Sequence, residues 1–317
     1  MSNAKKSHAT APTRASCCTS LTTPDSSNGA TTIQLASSIP CFMPASSAKA
    51  MPCGDSDEEA APRPAVTLQS RVADEQFPAR VASIAAQVAK ATEHHAVHAL
   101  FREGAAVLGA SSAVFVSFVR DERNSAAYRF MLACDPAWGR VYVQDGHFAH
   151  DPWLAYAAQH SEPVVASALN VMDDEHRRVQ DLAASAGFVS AVLIPAHSGA
   201  GHSRVGVLCL GSSTAGYFEG AGLAQLRVNA RMLALELHDW WLARIRRDLI
   251  VKARIKPNDL VLLQHQSQGH SSKKIAAALR VSRQSINSRF QRMNAKLGVG
   301  NRRMAVQLAI ECGLILK

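Results

Sequence analysis

Residues 273–297 read KKIAAALRVSRQSINSRFQRMNAKL, and this stretch predicts two short helices joined by a tight turn. Counted from Ser282, the apolar residues Ile286, Phe290, Met293 and Leu297 follow one another at steps of four, three and four. That spacing gives one buried stripe on a 3.6-period helix. The remaining positions are Arg283, Gln284, Asn287, Ser288, Arg289, Gln291, Arg292 and Lys296, with no carboxylate among them. A helix face that is merely solvated mixes both signs of charge. This one has cations at its flanks and amides in the middle, suited to phosphates and to base edges respectively. The preceding helix starts at Ser271 or Ser272, either of which can cap it, and turns Ile275, Ala276 and Leu279 inward. Its small residues, Ala276 to Ala278, allow close helix approach, and the turn Arg280-Val281-Ser282 ends in a second capping serine. The pattern is that of a helix-turn-helix whose second helix enters DNA. An ordinary surface helical hairpin is the competing reading.

Charge is distributed in keeping with the first reading. The 317-residue chain carries a formal net charge of +9. From Val251 to Lys317 there are 13 Lys or Arg against 2 acids, leaving 21 bases and 23 acids for the other 250 residues. The whole basic excess therefore lies in the last fifth, as for a nucleic-acid module appended to a near-neutral domain. No run of 18 apolar residues exists, so no membrane span is expected.

Residues 255–315 resemble the DNA-binding domain of LuxR-type transcriptional regulators. The resemblance is carried by Pro257 with Asp259, Gly269, Ile275-Ala276 with Leu279, Ser285-Ile286, Lys296-Leu297-Gly298, Arg302, Ala305-Val306 and Gly313-Leu314-Ile315. The family usually has Glu at Asp259, Thr-Val at Ser285-Ile286 and often His at Arg289. It implies that Asn287, Ser288 and Gln291 read bases, while Arg283, Arg289, Arg292, Lys296 and Arg302 meet phosphates. Gln284 lies beside them on the same surface.

Residues 1–72 are a different material, rich in Ser, Ala, Thr and Pro and ending near the acidic run Asp55, Asp57, Glu58, Glu59. Such a segment cannot bury enough to order itself, and a disordered tail is expected. Its start, MSNAKKSHATAPTRASCCTS, lacks the apolar core of a secretory signal. Four of the seven cysteines fall in this tail, and Cys134, Cys209 and Cys312 are singletons. No disulfide framework or C-x-x-C pair is present, which fits a reducing cytoplasm. His94 and His98, or His147 and His150, could each be half of a metal site, but no third ligand is evident and no metal or cofactor is expected. Neither a phosphate-binding glycine loop nor a nucleophile elbow occurs, so no enzyme is expected.

Residues 73–248 read as a sensor and dimerisation domain of α+β class, with an all-α DNA-binding domain from 249 to 317. A helix is predicted from Phe77 to Leu108, with breaks allowed, then strands at Ala113–Val119 and Tyr128–Ala133. Helical segments follow at Pro136–Gln144, Pro152–Gln159 and Asp173–Ser185. Two more strands, Ser190–Ala196 and Arg204–Leu210, flank the turn HSGAGHS, and a long helix covers Gly222–Arg247. Strands grouped between helices predict an antiparallel sheet covered on both faces, an α-β-α sandwich. The long helix has more apolar residues than one face needs: most are expected in the domain's own core, and part is a candidate dimer contact.

Within this domain, CDPAWGRVYVQDGHFAHDPW (134–153) places Trp138 and Tyr142 one helical turn apart. Asp151-Pro152 reads as an N-cap followed by an N1 proline, which by itself explains the aspartate. Two aromatics and a carboxylate could instead converge as a pocket with one polar anchor. Here the chain resembles the acyl-homoserine-lactone-binding domain of the LuxR type, which places a Trp, a Tyr four later and an Asp thirteen later around the signal's head group. Trp138, Tyr142 and Asp151 keep all three spacings. The resemblance implies that Trp138 donates to the lactone carbonyl, Asp151 accepts the amide N–H, and Tyr142 lines the acyl pocket or bonds the amide carbonyl. Trp153, Ala191 and Cys209 complete the candidate ligand-binding set. The sequence departs from the family where a tyrosine becomes Cys134, a tryptophan Ala166, a glycine Ala191 and a small hydroxyl residue Cys209.

Together these readings predict a cytoplasmic, homodimeric regulator of the quorum-sensing type. Its expected partners are double-stranded DNA and an acyl-homoserine lactone or related signal, with RNA polymerase a candidate further partner. The alternatives are an orphan regulator that binds DNA without such a lactone and an inhibitor that heterodimerises with another regulator.

Overall fold

The computed structural model describes residues 66–119, 128–198 and 204–316. The expected tail, up to residue 65, and most of the turn HSGAGHS lie outside the described residues.

Five strands, β1 (Ser112–Val119), β2 (Arg129–Ala133), β3 (Val164–Val165), β4 (Ser190–His197) and β5 (Arg204–Ser212), form one antiparallel sheet in the order β2-β1-β5-β4-β3. The sequences SAVFVSFV of β1 and RVGVLCLGS of β5 are buried throughout, as central strands covered on both faces must be. Alternation then divides them between two cores. Ala113, Phe115, Val192, Ile194, Leu208 and Leu210 face one core, with Ile84, Phe101, Leu226 and Leu233. Val114, Val116, Ala191, Leu193, Val207 and Cys209 face the other, with Trp138, Tyr142, Trp153 and Val179. The first core is covered by α2 (Phe77–Lys90), α3 (His94–Val107) and α7 (Leu223–Lys252); the second by α4 (Pro136–Gln144), α5 (Pro152–Gln159) and α6 (Asp174–Ser185). This is the expected α-β-α sandwich.

Three local features go beyond the sequence reading. The stretch Phe77–Leu108, predicted helical with breaks allowed, is two helices: Ala91 turns to extended backbone and its carbonyl accepts the Trp240 indole N–H at 2.9 Å. Helix α1 (Leu68–Val72) lies on the tail side of the expected boundary at residue 73, capped by Thr67, with Leu68 and Val72 buried in the first core. Strand β3, two residues long, is too short for any periodic signal.

The C-terminal part comprises α8 (Pro257–Ser267), α9 (Ser272–Ala278), α10 (Arg283–Leu297) and α11 (Arg302–Glu311). The stripe Ile286, Phe290, Met293 and Leu297 is buried against Leu262, Leu263, Ile275, Ala305 and Ala309, as its spacing predicted. Ser271 caps α9 through the Lys274 amide (3.3 Å), and Ser282 caps α10 through the Ser285 amide (3.1 Å). Between them Arg280 adopts φ +53°, a left-handed conformation that costs a non-glycine residue about 1 kcal/mol and reverses the chain in one step.

Candidate functional sites

The first site sits on the second core. Asp135 caps α4 by accepting the Ala137 amide at 2.8 Å, and the helix then presents Trp138 and Tyr142 inward with ring centroids 5.0 Å apart. Asp151 is the N-cap of α5: its Oδ1 accepts the amides of Trp153 at 2.7 Å and Leu154 at 3.4 Å. Its other oxygen, Oδ2, accepts the Tyr142 hydroxyl. One buried carboxylate thus both caps α5 and holds the Tyr142 hydroxyl. Burial pushes the Asp151 pKa above its ordinary value, against the opposing hydrogen bonds from Tyr142 and the two amides. The Tyr142 hydroxyl is raised well above its usual range, first by burial and then by the Asp151 charge.

Trp138, Tyr142, Asp151, Trp153 and Cys209 line one cavity with Val114, Val116, Leu154, Val179 and Ala183. It measures only about 10 Å³, room for one water molecule at most. Ala191 lies on the same sheet face, buried, but does not line the cavity. The Cys209 thiol is pushed well up by burial and then by Asp151, so it presents a neutral, weakly polar wall. Among the described residues, the buried indole N–H groups of Trp138 and Trp153 have no hydrogen-bond partner. Two such donors beside a carboxylate make a site able to take carbonyl oxygens and one N–H.

The sequence reading missed Phe188, whose ring centroid lies 6.1 Å from that of Trp138 and 5.9 Å from that of Trp153. Its room is made by Gly211, where an added Cβ would come within 2.4 Å of the Phe188 ring. A glycine inside a strand is the signal that could have found it. Of the histidines, His98 is bonded to the Leu132 carbonyl at 2.7 Å, and His147 lies 3.7 Å from Asp145. Among the described residues, no three His, Cys, Asp or Glu side chains group to hold a metal.

The second site is the outer face of α10. Arg283, Gln284, Gln291 and Arg292 are exposed, and Asn287, Ser288 and Arg289 are half-buried beside them. Lys296 and Arg302 are placed differently. Lys296 Nζ lies 2.7 Å from Asp259 and 3.0 Å from the Arg254 carbonyl, tying α10 to α8. Desolvation would raise the Asp259 pKa, but the Lys296 hydrogen bond, the Lys256 amide and the charges of both lysines outweigh it and hold Asp259 below the ordinary range. Arg302, from α11, donates to Ser272 and Asn287, each at 2.8 Å, with its guanidinium 4.3 Å above the Phe290 ring. Lys273, Lys274, Arg280 and Arg303 add exposed cations that the sequence reading did not single out.

Residues 93–240 match the autoinducer binding domain family, and residues 259–309 match the bacterial regulatory proteins of the luxR family. Among solved structures, SdiA in complex with octanoyl-rac-glycerol aligns with a TM-score of 0.58 at 17% identity, covering 77% of this chain and 98% of that one. Escherichia coli SdiA aligns at 0.59 and 18% identity, covering 76% and 100%. CepR2 from Burkholderia cenocepacia aligns at 0.46 and 20%, covering 53% and 98%. The likeness to the two SdiA structures is one of fold. No curated protein matches in sequence.

Proposed function

Because this chain belongs to the LuxR family of transcription regulators, an autoinducer-binding domain followed by a LuxR-type helix-turn-helix, we propose that it is a homodimer whose grip on DNA is set by an N-acyl-homoserine lactone or a related small amide signal. The observation that carries this reading is the pair of unpartnered indole N–H groups beside Asp151 in one cavity. A buried donor left without a partner costs roughly 1–3 kcal/mol, which a ligand carbonyl recovers. Trp138 would donate to the lactone carbonyl, and Asp151 Oδ2 would accept the amide N–H in a charge-assisted bond. Tyr142, which now occupies that oxygen, would turn to the amide carbonyl. The cavity is filled by its own rings, so entry requires Trp138, Tyr142 and Trp153 to part. That rearrangement is the step by which occupancy is felt in the domain.

On the DNA side, Arg283, Arg289 and Arg292 would hold phosphates while Asn287, Ser288 and Gln291 face the bases, with Gln284 at their edge. Lys296 and Arg302 would brace the helix rather than bind the backbone. One recognition helix covers too few base pairs, so two copies would bind half-sites one turn apart. Helix α7 offers the contact: Val228, Arg231, Leu235 and Asp239 are exposed on one stripe that continues to the half-buried Leu242. The stripe is palindromic about Leu235. A two-fold axis there sets Arg231 against Asp239 of the partner subunit and Val228 against the partner's Leu242, which is the self-complementarity an isologous interface demands. Among the described residues, no helix is long and apolar enough to cross a membrane. A DNA-binding regulator of this kind would act in the cytoplasm and, if an activator, meet RNA polymerase there.

Titrating the full chain with acyl-homoserine lactones of several lengths, with thermal melting as readout, tests the reading. Dose-dependent stabilisation is expected for at least one lactone, and its absence at saturating concentrations in a folded protein contradicts it.

A further inference from the structure

Arg302 was expected to touch phosphate, but its geometry gives it a different task. Its Nη2 donates to Asn287 Oδ1 at 2.8 Å, its Nη1 donates to Ser272 at 2.8 Å, and its guanidinium lies 4.3 Å above Phe290. Three anchors on two helices hold it in place. A guanidinium has only donors, so the atom of Asn287 that faces it is the oxygen, and no amide flip is compatible with the contact. The Asn287 carboxamide therefore turns its oxygen toward Arg302 of α11, which leaves its NH2 directed away from that contact. An asparagine reads adenine by using both groups at once, accepting from N6–H2 and donating to N7. Held as it is here, Asn287 has its acceptor already engaged by a cation, and its NH2 is the group left free.

We propose that Arg302 is a positioning residue for base readout, which engages the Asn287 oxygen, leaves the NH2 as the reading group and so favours guanine, whose N7 and O6 both accept, over adenine, which offers only N7. The inference rests on reading α10 as the recognition helix. Thymine, with O4 as its acceptor, would be tolerated. Cytosine would set only an amino group against the Asn287 NH2, and adenine would offer N7 with an amino group beside it.

Selection of binding sites from a randomised duplex pool by the full chain tests this. Asn287→Ala identifies the position that Asn287 reads, as the one whose preference disappears. In the wild type that position should be guanine, with adenine depleted roughly tenfold. Arg302→Met should free the amide and raise adenine at that one position, leaving preferences elsewhere unchanged. Arg302→Lys, which keeps one donor, should retain guanine. Adenine at the Asn287-dependent position in the wild type would overturn the proposal, as would an Arg302→Met variant that loses affinity evenly without changing that preference. If Arg302→Met does not fold, the wild type and Asn287→Ala decide the matter alone. Failure of the wild type to enrich any sequence would instead overturn the DNA-binding reading, and this inference with it.

Discussion

Tyr142 donates its hydroxyl to Asp151, and both side chains are buried against the sheet. The carboxylate that starts α5 is thereby also the polar centre of the cavity, so changes at Asp151 divide into effects on folding and on ligand. Asp151→Asn keeps the capping oxygen and removes a buried charge; its melting temperature should stay near that of the wild type. Its affinity for an acyl-homoserine lactone should fall by about 1–2 kcal/mol, or roughly tenfold, as a charge-assisted bond becomes a neutral one. Asp151→Ala should cost stability as well, about 1 kcal/mol for the cap. Calorimetric titration beside thermal melting separates the two effects.

The raised Asp151 pKa fixes the sign of a pH effect. With the folded value above the unfolded one, the native state binds more protons between the two, so this residue's contribution to stability falls as pH rises from the ordinary carboxylate range through the folded pKa. Asp151→Asn should remove that slope. Melting curves between pH 4 and 8, an interval chosen to span roughly this window, should be flatter for the variant. An unchanged slope would place the effect on another residue.

Gly211→Ala should destabilise the sensor domain by about 1–3 kcal/mol, since the new methyl meets the Phe188 ring at 2.4 Å and Phe188 is packed between Trp138 and Trp153. The double variant with Phe188→Leu should recover part of the loss. A neutral single variant would show that the ring has somewhere to go.

Lys296 and Arg292 should part company in DNA binding. Arg292→Ala should lower the salt dependence of affinity by about one phosphate contact. Lys296→Met should leave that slope unchanged while costing about 1 kcal/mol of stability through the part-buried pair with Asp259. Asp259 has its pKa held down in the folded state, so its contribution is present above the unfolded pKa and is lost as pH falls through the folded value. The Lys296→Met deficit should therefore shrink in acid.

The palindrome on α7 makes a charge-swap test available. Arg231→Asp should weaken self-association by setting like charges together at two symmetry-related points, and Arg231→Asp with Asp239→Arg should restore it. Sedimentation or light scattering reads the outcome. Failure of the double variant to recover would move the interface elsewhere.

Much of this was legible in the residues themselves. Ile286, Phe290, Met293 and Leu297 are buried as their spacing required, and Ser271 and Ser282 cap as their positions suggested. Helices with strong caps, such as α4 and α5, had their limits written locally. What could not be read was tertiary. The break after Lys90 depends on Trp240, 149 residues beyond the carbonyl it bonds. The place of Phe188 depends on a glycine on a neighbouring strand, and the orientation of the Asn287 amide depends on an arginine from another helix. Lys273 and Lys274 belong to α9, whose place beside α10 is a tertiary fact that the spacing within α10 does not carry.

The most direct test of the central claim is the melting temperature of the full chain against acyl-homoserine lactone concentration, run beside Trp138→Phe and Asp151→Asn. Binding to the folded state alone stabilises by about 2.7 kcal/mol at a hundred times Kd. The prediction is a dose-dependent rise in the wild type that is strongly reduced in both variants. A rise that survives both substitutions, or no rise in a cooperatively folded wild type, would contradict the assignment of this cavity as the signal site.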